Sequence, residues 1–482
     1  MYLNGKLIIA KNEEKELCIL PNMINRHGVI TGATGTGKTI SVKVLAETFA
    51  QAGIPVLVTD IKGDVSSICE EGEMSESIVK RVNKLQLENF KTSKFETRFF
   101  DVYGNNGHKV KARIDSFSAP LLSRILELSD SQEGNLNIAL RVSIDENMPV
   151  IDFKDLKSLL KYVLENKDKY MTYGNITQQS IATIQRKLLE FENQSADIFF
   201  GEPELNLNDF IRYDGNTGNG IINILDSTEL VKDYNLYSTL MLWLLNKIYD
   251  TFPEVGDLEK PKLALFIDEA HLLFDDMNPS MLKKLTQIIK LIRSKGVGVF
   301  FISQSPSDIP EDILSQLGNR IQHNLKAYTP KEMKSVKVAA ASFRENKNLD
   351  TEKSIIELST GEALVSFINE IGQPEIVERA YILPPQSKIG VVDENLRKSI
   401  INNSILKSTY DLDIDNYSAH EIINEKNKIE EEQNLKDEEE KKEDKKQPKK
   451  TRTEKVIDRT INTAASSIGR KIANKIWKGL FK

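Results

Sequence analysis

Eight consecutive residues early in the chain, Gly32-Ala33-Thr34-Gly35-Thr36-Gly37-Lys38-Thr39, satisfy G-x-x-x-x-G-K-[ST] at every fixed position. Residues of these types at this spacing do phosphate chemistry. The glycines let backbone N–H groups converge on phosphate oxygens, and a helix N-terminus behind them adds partial positive charge. Lys38 can reach the β- and γ-phosphates of a nucleotide, and the Thr39 hydroxyl can ligate Mg²⁺. A glycine-rich turn that binds nothing would share the composition, but not the flanks. Val29-Ile30-Thr31 reads as a short buried strand and Ile40–Gln51 as an amphipathic helix ending near Gly53, the context the motif requires.

A second group of residues complements the first. In "KLALFIDEAHLLF" the apolar run Leu263–Ile267 ends in Asp268 and Glu269. Such a pair could merely cap the following helix. With a phosphate loop upstream, Asp268 is placed to hold Mg²⁺, usually through water, and Glu269 to polarise the attacking water of a hydrolysis. Gln304 closes the strand-like run Val297–Gln304, where it is either a γ-phosphate sensor or a plain strand-end polar residue.

The elements that must position these groups alternate between strand and helix. Residues 3–20 read as a hairpin or paired strands. Strands are expected within Ile54–Asp64, Glu96–Gly104, Asn219–Asp226, Leu263–Ile267 and Val297–Gln304, and another from Arg320. Helices are expected over Leu236–Ile248, over Pro279–Lys295 and up to about Leu317. "GEALVSFI" and "PEIVERAYIL" read as an antiparallel pair near the sheet edge. Between Ser116 and Phe200 the period is helical almost throughout, which marks an insertion. Parallel strands joined by crossover helices predict an α/β, doubly wound sheet with phosphates at the C-terminal ends of its strands. The expected organisation is an ATPase core over 1–395 with a mostly helical insertion at 105–218. A C-terminal extension (396–424), a charged low-complexity linker (425–455) and a basic amphipathic helix (456–482) follow.

Charge narrows the partners. The 482 residues carry a formal charge of −6, unevenly spread. Glu425–Lys450 holds 10 acidic and 9 basic residues, and Thr451–Lys482 holds 2 and 8, which leaves residues 1–424 at −11. A body this acidic meets a polyanion only through a local basic patch, such as the lining of an oligomeric channel. Cys18 and Cys69, the only cysteines, have no metal-like spacing, and the first residues lack the basic and apolar regions of a signal peptide. No apolar run reaches the roughly 18 residues that span a bilayer. These features together lead us to expect a cytoplasmic protein.

The combination "GATGTGKT", "VTDIKGDVSSI", "LFIDEAHLLF", "GVGVFFISQSPSDIP", "LGNRIQHNLKAYTP", "GEALVSF" and "VERAYILPP" resembles the bacterial HerA-like ATPases across roughly residues 1–395. "SQEGNLNIAL", "YGNITQQSIATIQRKLLEFE" and "FFGEPEL" in the insertion resemble one of their subgroups. The resemblance implies a RecA-like P-loop core with additional strands, ATP and Mg²⁺ as cofactors, homo-hexameric rings, and motors that move DNA. Where such proteins carry "HGE"-type residues after the second strand, this chain has Lys62-Gly63-Asp64, whose shorter acid leaves the role of Asp64 open. Ring ATPases often supply an arginine from the neighbouring subunit to the developing phosphate charge. Arg320, in "GNRIQH", is the first candidate and Arg293 the second; each could equally be a cation paired at a surface or helix end.

The tail has its own logic. Residues 425–450, mixed in sign and nearly free of apolar side chains, form a solvated linker or a single charged helix. Beyond them Ile468, Ile472, Ile476 and Leu480 recur every four residues among Arg470, Lys471, Lys475, Lys478 and Lys482. Such a helix can lie on an anionic membrane, bind nucleic acid, or pack on a protein surface, its own ring included. Two function classes therefore stand: a hexameric DNA translocase or helicase, and a ring ATPase that acts on a protein or membrane-associated assembly without nucleic acid.

Overall fold

The computed structural model of the protein describes residues 1–444 apart from 4, 194–197, 257, 276 and 278. The expected basic helix 456–482 and the linker from 445 onward lie outside the described residues. The chain divides into two units, Met1–Ala419 and His420–Lys482.

In the first unit β1 (Tyr2–Leu3), β2 (Lys6–Lys11) and β3 (Glu16–Ile19) precede β4 (Gly28–Thr31), the glycine loop and α1 (Lys38–Gln51). Then come β5 (Val56–Asp60), α2 (Glu76–Leu85), β6 (Thr97–Asp101) and β7 (His108–Lys109). The insertion contributes α3 (Ala119–Ile125), α4 (Asp130–Asp145), α5 (Phe153–Glu165) and α6 (Gln178–Glu192). The alternation resumes with β8 (Ile222–Asp226), α7 (Tyr234–Thr251), β9 (Leu263–Ile267), α8 (His271–Phe274), α9 (Pro279–Ile292) and β10 (Val297–Ser303). It continues through α10 (Glu311–Leu314), β11 (Asn319–Gln322), α11 (Pro330–Ala341), α12 (Thr351–Glu357), β12 (Glu362–Ser366), β13 (Glu378–Ile382), α13 (Glu394–Asn402) and α14 (Lys407–Tyr410). What is described of the second unit is helical, within α15 (Ala419–Asp444), so residues 425–444 take the form of a single charged helix.

All the strands form one sheet, in the order β1-β2-β13-β12-β11-β4-β10-β9-β5-β8-β6-β7, with β3 paired to β2. From β11 to β7 the neighbours are parallel; from β11 back to β2 they are antiparallel. The N-terminal strands thus extend the main sheet, and the β12–β13 pair is covered by β2 rather than lying at the edge. Parallel strands are screened by crossover helices on both faces, which is why β4, β5, β8, β9 and β10 are buried at every position and read as largely apolar runs.

Alternation assigns the two faces. The Phe300 ring meets Phe266 at 4.9 Å and Phe49 of α1 at 5.6 Å, whereas Phe301 meets Phe274 of α8 on the other side at 5.8 Å. A buried ring of this size contributes about 1.5–3 kcal/mol. The packing also explains Gly28: a Cβ there would stand 2.5 Å from the Phe300 ring and 2.9 Å from the Asn319 carbonyl oxygen.

The helical insertion docks on α7. Trp243 stacks on Phe117 at 6.1 Å and its Nε1 donates to Ser116 Oγ at 2.9 Å, while Phe153 packs on Phe200 at 4.8 Å. Expected as an extension, residues 396–419 fold within the first unit. There Arg397, nearly buried on α13, donates to Asp226 at the end of β8 at 2.9 Å. The residues between β11 and β12 hold two helices that the periodicity did not reveal. α11 and α12 close a small core of Leu325, Val336, Ala339, Ile355, Leu358, Leu364 and Val377.

Candidate active site

The order β11-β4-β10-β9-β5 sets the loop after β4 between strands that the chain reaches only after long excursions. This is a topological switch point, and the crevice at the C-terminal strand ends is where such sheets hold phosphates. Gly32, Gly35 and Gly37 all have left-handed φ, at +154°, +80° and +117°. At Gly32 a Cβ would lie 2.5 Å from His323 Cβ and 2.9 Å from Thr36 Oγ1, so only glycine fits. Thr36 Oγ1 donates to the Ala33 carbonyl at 2.7 Å and closes the loop on itself. Thr34 and Gly35 are exposed at its tip. The first helical amides, from Lys38 to Ile40, have no intrahelical acceptor and face the loop. Lys38 Nζ donates to the Gly32 and Ala33 carbonyls at 2.5 and 3.3 Å. Burial lowers its pKa, and nearby Lys62 lowers it further.

The loop is braced from below by β11. His323 N donates to Thr31 O at 2.7 Å, and Ala33 N donates to Asn324 O at 2.8 Å. The fully buried His323 ring bonds Glu362 O through Nδ1 at 3.0 Å and Ser41 Oγ through Nε2 at 2.7 Å. Burial pushes its pKa down to about 4, so the ring is neutral. Nδ1 then donates to the carbonyl and Nε2 accepts from the hydroxyl. Helix α1 is fixed from behind by two buried charged side chains. Glu47 accepts from Gln386 N, Ser387 N and Ser387 Oγ at 2.8, 3.0 and 2.5 Å. Lys43 Nζ donates to Ser67 Oγ at 2.8 Å and Lys388 O at 2.5 Å. Sequence reasoning passed over His323, Asn324, Lys43 and Glu47. The signal was present, in charged residues within a helix rich in apolar side chains and a histidine directly after a strand.

Strands β9 and β5 deliver the acidic pair. Asp268 N donates to Thr59 Oγ1 at 2.8 Å, and the buried Tyr237 hydroxyl donates to Asp268 O at 2.6 Å. Lys38, Thr39, Thr59, Lys62 and Asp268 line one cavity of about 20 Å³, room for one water-sized occupant. Burial pushes the Asp268 carboxyl up to about 7; the Glu269 charge adds to this, while Lys62 and Lys38 oppose it. Glu269 sits at φ +44°, outside the usual range for a non-glycine residue. Its Oε2 is buried, 3.4 Å from His271 Nδ1, and neither atom has a hydrogen-bond partner among the described residues. At that separation the carboxylate and the imidazole, when protonated, face each other as an ion pair. The donor set, one hydroxyl and one carboxylate, fits Mg²⁺ held jointly with substrate phosphates rather than a protein cage. The described residues contain no cluster of three or more His, Cys, Asp or Glu side chains that could hold a metal ion.

Gln304 directly follows β10, whose Ser303 pairs with Thr31, so it flanks the start of the glycine loop with an exposed side chain. Arg320 does not join the group. Its guanidinium donates to the carbonyls of Leu317, Ser342 and Leu314 at 3.0, 2.9 and 2.9 Å, all in its own chain. It stands near the N-terminal end of β11, away from the phosphate edge. In this chain the guanidinium clamps three carbonyls, from the residues just before β11 and the end of α11. Arg293 lies in the turn Arg293–Lys295 that leads into β10, again at the N-terminal edge. Asp64 follows the turn at Gly63, and its carbonyl accepts from Ser67 Oγ at 3.3 Å.

A larger cleft of about 1050 Å³ opens among the loops after β6, β8 and β9, lined by Glu127, Asp130, Glu133, Glu229, Asp233 and Asp275 with Arg124 and Lys232. No described helix is long and apolar enough to cross a membrane.

The family described as helicase HerA-like C-terminal matches residues 5–482. The DNA double-strand break repair helicase HerA of Saccharolobus solfataricus is 26% identical over 370 residues, covering 74% of this chain and 64% of that protein. A probable helicase of Methanocaldococcus jannaschii is 24% identical over 382 residues, covering 76% and 65%. The chain thus spans just under two thirds of these relatives. Among solved structures, VirB4 of Thermoanaerobacter pseudethanolicus is 15% identical with a TM-score of 0.49, covering 82% of this chain and 99% of that one. The conjugative coupling protein TrwB is 13% identical with a TM-score of 0.49, covering 78% and 90%.

Proposed function

Since the chain belongs to the helicase HerA-like C-terminal family, we propose that it is an ATP-hydrolysing motor that moves DNA as a homo-hexameric ring in the cytoplasm. One observation carries the reading: Lys38 and Thr39 of the glycine loop line a single cavity with Asp268, and beside Asp268 stands Glu269, whose buried Oε2 faces His271 Nδ1 at 3.4 Å without a hydrogen bond among the described residues. Mg²⁺ held by the Thr39 hydroxyl and Asp268 would neutralise charge on the β- and γ-phosphates. Lys38 exchanges its loop carbonyls for phosphate oxygens. Glu269 accepts a hydrogen bond from the attacking water and draws off its proton. Gln304, following β10 next to the loop, reports the loss of the γ-phosphate to the rest of the sheet. The arginine expected from a neighbouring subunit has no assigned residue, Arg320 being held within its own chain.

The test is ATP turnover by the full chain with and without double-stranded DNA, single-stranded DNA and RNA, paired with sizing. The reading expects turnover that one form of DNA raises severalfold, in a species of six chains. An absence of turnover under every condition would remove it.

A second reading, a ring ATPase acting on a protein or membrane-associated assembly, is favoured by the acid-lined cleft beside the site. Such a cleft repels phosphate backbones and suits a cationic partner. Turnover indifferent to all three nucleic acids would select it.

A further inference from the structure

We propose that Lys62 is a catalytic residue, a second cation that contacts the γ-phosphoryl oxygens and strengthens its contact as charge builds there. The inference rests on the ATPase reading above and adds to it a residue supplied in cis.

The argument starts from register. β5 and β9 run parallel with Val58 opposite Phe266, which brings the residues after Asp60 alongside those after Ile267. The turn that follows β5 is held firmly. Asp60, 1% exposed, accepts Gly63 N on Oδ1 at 2.9 Å, and Ser66 N and Ser66 Oγ on Oδ2 at 2.8 and 2.6 Å. Gly63 at φ +74° completes the turn. Lys62 is therefore fixed at its backbone while its side chain reaches the cavity shared with Lys38, Thr39 and Asp268. Its charge acts on both Lys38 and Asp268. Among the described residues its ammonium has neither a hydrogen bond nor an ion pair. Lys62 thus lines, from its exposed side, the same cavity as Lys38, Thr39 and Asp268, where a bound anion would meet its ammonium.

Chemistry supplies the need. When water attacks the γ-phosphorus, the bond to the β,γ-bridging oxygen breaks, ADP leaves with that electron pair and the water proton passes to Glu269. In the transition state, charge lies on the departing bridging oxygen and is spread over three equatorial γ-oxygens, a set that Lys38, at the β/γ side, covers only in part. Lys62 approaches from the opposite strand, stays protonated throughout and acts by hydrogen bonding and charge alone. Among the described residues, Lys38 and Lys62 are the cations that line this cavity, and Arg320 is committed to carbonyls.

The experiment compares wild type, Lys62→Ala, Lys62→Arg and Lys38→Ala in the full chain. It measures turnover at saturating ATP, affinity for a slowly hydrolysed ATP analogue, and affinity for ADP with aluminium fluoride, which mimics the transferred phosphoryl group. We expect Lys62→Ala to lose at least tenfold in turnover and tenfold in aluminium fluoride complex affinity, with analogue affinity changed less than about threefold. Lys62→Arg should recover most of both. Because Lys62 is exposed and bonded to nothing, melting should be unchanged without nucleotide. Turnover within twofold of wild type in Lys62→Ala, or equal losses of analogue and transition-state-mimic affinity, would overturn the proposal. If Lys38→Ala is inactive while Lys62→Ala is not, this inference falls and the ATPase reading stands. A wild-type protein without turnover would remove both.

Discussion

His323 offers a prediction whose size can be worked from the structure. Its folded pKa, about 4, lies below the ordinary 6.5, because burial penalises the charged ring. The sign follows from proton counting. Between pH 6.5 and 4 the unfolded chain binds a proton that the folded chain refuses, so stability present above pH 6.5 is lost as pH falls toward 4. At pH 5 the loss is about 2 kcal/mol relative to pH 8. Asp268 works in the opposite direction: its folded pKa, about 7, exceeds the ordinary carboxylate value, so its burial penalty eases as pH falls. The wild-type profile alone therefore mixes the two effects, and a difference is needed. His323→Gln keeps a polar side chain of similar length but removes the titration. At pH 8 the variant should be less stable by about 1–3 kcal/mol, because the Ser41 and Glu362 partners lose their ring. At pH 5 that gap should narrow by about 2 kcal/mol. Fluorescence-monitored urea unfolding at pH 8, 6.5 and 5 measures both proteins under matched conditions. A gap that stays constant within about 0.5 kcal/mol, or widens toward pH 5, would refute a buried neutral histidine beneath the phosphate loop.

Three further outcomes are expected. Lys38→Ala should lose at least a hundredfold in phosphate release, and turnover within twofold of wild type would mean the loop is not the site. Glu269→Gln should bind ATP at near wild-type affinity yet release phosphate at least a hundredfold more slowly, since an amide cannot take up the water's proton; a failure to bind nucleotide would give Glu269 a structural role instead. Arg320→Ala should cost about 2–4 kcal/mol of stability by stripping donors from three carbonyls. Mixed with Lys38→Ala protein it should not restore turnover, and restoration in exchanging subunits would return Arg320 to service across the interface.

Much of the sheet was legible because its central parallel strands are buried on both faces and announce themselves as largely apolar runs. The strands at Val56–Asp60, Leu263–Ile267 and Val297–Ser303 fall inside the stretches expected for them. Helices α11 and α12 were missed for a physical reason. α11 buries only Val336 and Ala339, too little to impose a periodicity. Its start was nevertheless written in Thr329-Pro330-Lys331-Glu332, where Thr329 and Glu332 cap each other's backbone. The antiparallel pair β12–β13 was recognised, but its cover by β2 was not, because strand pairing across more than 360 residues leaves no local pattern.

The sequence by itself determined the phosphate cradle and the acidic pair. Each is a contiguous motif whose geometry comes from its own few residues: glycines where φ must be positive, and carboxylates where a buried strand ends. Only the tertiary structure decided what surrounds them. Ser41 meets His323 across 282 positions of chain, and Glu47 meets Ser387 across 340. The fold also decided that Lys62 faces the cradle while Arg320 turns inward to three carbonyls. A cation's role depends on which oxygens it finds within about 3 Å, and in a sheet whose neighbours come from distant parts of the chain, those oxygens belong to residues that no local spacing can place.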